Sequence, residues 1–106
     1  MRNFVIKADA NGDFPTWLAH QADYINARSL AANVAESSTV PALATKVFYS
    51  CTGNFYVLVN GTATVPGDVT DGTASELNPA GHLVSPGDVI SFIAPAACVV
   101  TLAYYR

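Results

Sequence analysis

From Lys46 onward, runs of β-branched and aromatic residues alternate with Gly, Pro, Asn and Asp punctuation. This grammar predicts short strands joined by tight turns. Residues 46–51, 54–59, 82–84, 89–94 and 98–105 read as strands, and Thr52-Gly53 between the first two predicts a hairpin. Strict alternation puts Phe55, Val57 and Val59 on one face, Tyr56 and Leu58 on the other. Asn60-Gly61 and Ser85-Pro86-Gly87-Asp88 mark turns, with residues 62–65 continuing the sheet. Residues 66–81 carry repeated Gly, Asp and Pro and read as a long surface loop of the kind that makes contacts.

The first third has a different pattern. Residues 3–7 read as a strand closed by Asn11-Gly12, and Asp13-Phe14-Pro15 supplies an N-cap and an early proline. Trp17, Leu18, Ala22 and Ile25 recur at helical spacing, predicting a helix over about residues 15–27. Pro41 then forces Val40 extended, so residues 33–40 read as a strand entering a turn. No helical pattern follows Lys46, which excludes the crossovers of a parallel sheet. The expected fold is mostly β: an antiparallel β-sandwich with one short N-terminal helix, in a single domain spanning residues 1–106. Within it an N-terminal strand and helix occupy about 1–32 and a sheet-rich body about 33–106.

Composition sharpens the picture. Hydrophobic residues make up 51% and charged residues 12% of the 106 positions, roughly half the charge of an ordinary soluble domain. So few charges cannot cover a free monomer, and low surface charge favours association. The net charge is −3 and Arg2, Lys7, Arg28, Lys46 and Arg106 are scattered, which argues against nucleic-acid binding. No stretch reaches the ~18 apolar residues of a membrane span. The N-terminal residues lack the long apolar segment of a signal peptide, so the expectation is a protein made in a cytosol. Cys51 and Cys98 fall in strand-like runs with no framework spacing and are expected to be free, buried thiols.

Candidate chemistry is sparse. His20 and His82 stand alone, with no CxxC, HxH or HExxH spacing, and read as surface histidines. No GxGxxG, GxxxxGK[ST] or GxSxG motif is present, so no cofactor and no enzymatic activity is expected. Asp68, Asp71 and Glu76 form the densest acidic cluster, but Asp-Val-Thr-Asp-Gly-Thr departs from the EF-hand pattern, and Asx turns explain the same residues without calcium.

The stretches Val-Phe-Tyr-Ser-Cys-Thr-Gly-Asn-Phe-Tyr-Val-Leu-Val-Asn-Gly from Val47, Asp-Gly-Thr-Ala-Ser-Glu-Leu-Asn-Pro from Asp71, and Val-Ser-Pro-Gly-Asp-Val-Ile-Ser-Phe-Ile from Val84 resemble small virion structural proteins of tailed bacteriophages. The resemblance covers residues 46–105 in style of sequence. It implies a jelly-roll-like sandwich, often a homotrimer, that sits on the capsid exterior as a decoration or cement protein with the major capsid protein as its partner. No active-site residue is carried over. Phe4, Ile6, Phe14 and Trp17, with Asp68, Asp71 and Glu76 on the loop, are the candidate contact surface. Two alternatives stay open: a tail- or connector-associated virion protein, and a carbohydrate-binding module using Tyr49, Tyr56 and the 68–76 loop.

Overall fold

The computed structural model describes residues 1–4 and 20–106, so the expected contact residues Ile6, Phe14 and Trp17 lie outside the described part. Among the described residues the chain is mostly β, with eight strands and no helix. They are β1 (Tyr24–Leu30), β2 (Glu36–Thr39), β3 (Lys46–Cys51), β4 (Tyr56–Val59), β5 (Glu76–Leu77), β6 (Gly81–Leu83), β7 (Val89–Ile93) and β8 (Cys98–Tyr105). Two four-stranded antiparallel sheets result, ordered β1-β8-β3-β6 and β2-β7-β4-β5. Four of the pairings nest one inside another: β1 with β8, β2 with β7, β3 with β6 and β4 with β5. The chain therefore pairs with itself as one long ribbon, and rolling that ribbon adds the β3–β8 and β4–β7 contacts.

Alternation decides what is buried. Val47 of β3 and Val100, Leu102 and Tyr104 of β8 meet Val57 of β4 and Ile90 and Phe92 of β7 in one apolar cluster. Tyr104 is fully buried and its hydroxyl lies 2.9 Å from Ser38 Oγ on β2, so a side chain of one sheet hydrogen-bonds an edge strand of the other. Among the described residues no buried side-chain nitrogen or oxygen lacks a partner, as a sound interior requires.

Several expectations change. Residues 15–19 of the expected helix fall outside the described part, and its last four residues, 24–27, are strand: all of Tyr24–Leu30 pairs with β8. Continuous ladder pairing overrides the helical spacing, because it satisfies the backbone while burying Leu30. Of the expected strand at 3–7, only Asn3 and Phe4 are described, and neither is in a strand. The predicted hairpin across Thr52-Gly53 does not form, since β3 and β4 belong to different sheets. The turn carries the chain across, and each strand finds partners far along the sequence. The face assignment survives this change, with Phe55 and Val57 buried.

Residues 62–65 do not continue the sheet. They begin a strap over the outer face of β2-β7-β4-β5, where buried Ala63 donates its N–H to Ser91 Oγ at 2.8 Å and Thr64 N–H donates to Ser75 Oγ at 3.1 Å. The expected long loop at 66–81 accordingly contains β5 and ends in β6.

Candidate functional site

Among the described residues the strap leaves the two outer faces unequal. Register places Ile25, Ala27 and Ser29 of β1, Val99, Thr101, Ala103 and Tyr105 of β8, Lys46, Phe48 and Ser50 of β3 and Gly81 and Leu83 of β6 on the outer face of β1-β8-β3-β6. A sheet with one face packed on the core should turn polar residues to water on the other. Here the outward strand positions carry one charged side chain, Lys46, whose ammonium donates to the Arg106 carbonyl at 3.3 Å. Leu83 is 84% exposed, Ile25 45% and Val99 38%.

One expected contact residue, Phe4, organises this face. Its ring lies 4.8 Å from that of Phe48 and meets Tyr105 edge-on at 5.3 Å, while Phe48 and Tyr105 meet edge-on at 5.6 Å. The T-shaped geometry sets ring edges against ring faces, the favoured arrangement of aromatic quadrupoles. The Arg106 N–H donates to the Arg2 carbonyl at 2.8 Å and Tyr105 Oη donates to the His20 carbonyl at 2.7 Å, anchoring both chain segments beside the rings. Gly81 sits opposite Phe48, and a Cβ there would come within 2.7 Å of the Val47 carbonyl oxygen and 3.0 Å of the Phe48 ring. Only glycine lets the ring lie this close to β6. The outcome is an open apolar groove of about 670 Å³ lined by Phe4, Lys46, Phe48, Ala80, Gly81, His82 and Leu83.

His82 itself faces inward and joins three strands. Its Nε2 is 2.7 Å from Glu76 Oε1 on β5, and its Nδ1 is 2.9 Å from Tyr49 Oη on β3. Burial first, then the nearby Tyr104 and Glu76 charges, raise the Tyr49 phenol well above its ordinary value, so it keeps its proton. Tyr49 O–H can therefore donate to Nδ1 while Nε2–H donates to the Glu76 carboxylate. The chain clasps the open edges of both sheets, and Arg28–Glu36 at 2.6 Å does the same between β1 and β2 on the other side. A second groove of about 420 Å³, lined by Val57, Leu58, Val59, Glu76, His82 and Leu83, continues the surface past Leu83.

The remaining expected site residues are spread out. Asp71 accepts from Thr73 N–H at 3.2 Å and Thr73 Oγ1–H at 2.6 Å, an Asx-type turn that lowers its carboxyl pKa through those hydrogen bonds. Asp68 is exposed on the same loop. Among the described residues no three His, Cys, Asp or Glu side chains converge as metal ligands. Tyr49 and Tyr56 lie on different sheets, with Tyr49 tied to His82. Phe4 and Glu76 are thus brought to one end of the molecule, with Asp68 and Asp71 elsewhere on the strap. Sequence reasoning missed Phe48, Gly81 and Leu83 as contact residues and His82 as a clasp, because only the β3–β6 register brings them together. Comparison with protein-family models, curated proteins and solved structures gave no match.

Proposed function

We propose that this chain is a structural assembly protein that docks through the outer face of β1-β8-β3-β6. The observation that carries this reading is the apolar character of that face among the described residues, with Leu83 84% exposed beside the Phe4, Phe48 and Tyr105 rings, while the strap covers the opposite sheet. Apolar area of this kind gains free energy only when a partner covers it. The nested pairing order, closing on two four-stranded sheets over one core, supports the finer description of the fold as a jelly-roll sandwich.

Together with the resemblance of residues 46–105, these features favour a capsid decoration protein of a tailed bacteriophage, self-associating and seated on the major capsid protein of the head shell. Binding the assembled shell in preference to its separate subunits would stabilise the shell by mass action. The test is co-sedimentation of the purified chain with tailed-phage head shells stripped of their small surface proteins, and with unassembled coat subunits. Saturable binding to shells alone, with a higher shell disassembly temperature, is expected. Equal binding to both, or to neither, would overturn the proposal.

A further inference from the structure

Cys51 closes β3 and Cys98 opens β8. In the antiparallel register Cys51 faces Val100, so Cys98 is its diagonal neighbour on the same side of the sheet. Diagonal neighbours are within reach when the strand ends are held together. Here Thr52, between them in register, does the holding: Val99 N–H donates to Thr52 Oγ1 at 3.0 Å and Thr52 N–H to the Val99 carbonyl at 3.1 Å. The Cys51 S–H points at Cys98 Sγ, 3.2 Å away. Contrary to expectation neither thiol is fully buried; both are free and half-buried at the margin of the core, where a small reagent can reach them. A Cβ on Gly53 would lie 3.4 Å from Cys98 Cβ, so a longer side chain there would crowd the pair.

We propose that Cys51 and Cys98 are a reversible disulfide site, oxidised by a low-molecular-weight disulfide of the glutathione class. One cysteine thiolate attacks the small disulfide, forming a mixed disulfide and releasing one small thiol. The second protein thiolate then attacks the protein-side sulfur of that mixed bond, closing Cys51–Cys98 and releasing the other small thiol. The two protein thiols lose two electrons and two protons, and the oxidant gains both as two thiols. Burial, followed by the contact with Cys51, pushes the Cys98 thiol up to about 11, so the reaction quickens as the solution becomes alkaline. The bond encloses residues 52–97, hence β4 to β7, and constrains the unfolded chain over that length.

The test is incubation of the native protein with oxidised glutathione between pH 7 and pH 9, read by intact mass, thiol titration after denaturation, and non-reducing peptide mapping. The expected result is loss of both thiols, a mass lower by two hydrogens, and one Cys51–Cys98 cross-linked peptide on a monomer. Dithiothreitol should reverse it, and the melting temperature should rise by roughly 5 °C or more in the oxidised form. Cys51→Ser and Cys98→Ser should each stop at a single glutathione adduct. Stable adducts on the unmodified chain, a disulfide-linked dimer, or persistence of both thiols would overturn the proposal.

Discussion

Replacing Leu83 by Asp separates folding from docking. With 84% of its surface already in water, the side chain adds little to the fold, and the change should move unfolding free energy by no more than about 0.5 kcal/mol. Full burial of a leucine stabilises by about 1.5–3 kcal/mol. If a partner covers the exposed fraction, each Leu83 contributes roughly 1.3–2.5 kcal/mol to association, equivalent to about ten- to sixty-fold in Kd. Burying the new carboxylate adds to that loss. Denaturant unfolding at low concentration and sedimentation equilibrium over a concentration series measure the two quantities on the same sample. Unchanged stability with dissociation weakened at least tenfold is the expected pair of results. Unchanged association would refute a docking role for Leu83, and a stability loss of ~2 kcal/mol would mean the side chain packs within its own chain.

Other consequences follow from individual residues. Leu43 has φ +73° at the third position of the turn closed by Ala44 N–H to the Pro41 carbonyl, and glycine there should stabilise by about 1 kcal/mol in chemical denaturation, because a left-handed backbone strains a side chain. Tyr104→Phe should cost about 1 kcal/mol through loss of the Ser38 hydrogen bond, and a double-mutant cycle with Ser38→Ala should recover a coupling of similar size. Folding raises the Cys98 thiol from 9.0 to about 11 and also raises the Tyr49 and Tyr104 phenols, in each case mainly through burial. A raised pKa means the folded state holds the proton more tightly, so this stability is fully present below the unfolded pKa values and is lost as pH rises through the folded ones. Thermal stability should therefore fall from pH 9 upward, and Cys98→Ser should flatten the decline between pH 9 and about 11.

The strands that sequence patterning located best are those with dense β-branched and aromatic runs. β3 and β8 were expected with the bounds they have, and β7 with one extra residue. β1 was missed because Ala22 and Ile25 fall at helical spacing, and nothing local announces that β8, 68 to 80 positions away, will pair with every residue of Tyr24–Leu30. The false hairpin has the same origin: Thr52-Gly53 specifies a change of direction, whereas partner choice rests on contacts such as Val47 with Tyr104. Phe4 was legible as a contact candidate through its place on the expected N-terminal strand. Leu83, Gly81 and Phe48 were not, since a leucine in a strand reads as core until register turns it outward. The Tyr49–His82–Glu76 clasp likewise joins residues on β3, β6 and β5 that share no motif.

Hydroxyl-radical footprinting of the chain, free and then assembled with itself or a shell, maps the docking face residue by residue. The outer-face residues Phe4, Ile25, Phe48, Leu83 and Val99 should lose reactivity on assembly, while Val65 and Val69 on the strap, also exposed, keep theirs. Protection at Val65 and Val69 with Leu83 and Ile25 still reactive would rule out docking through β1-β8-β3-β6 and move the contact surface to the opposite sheet.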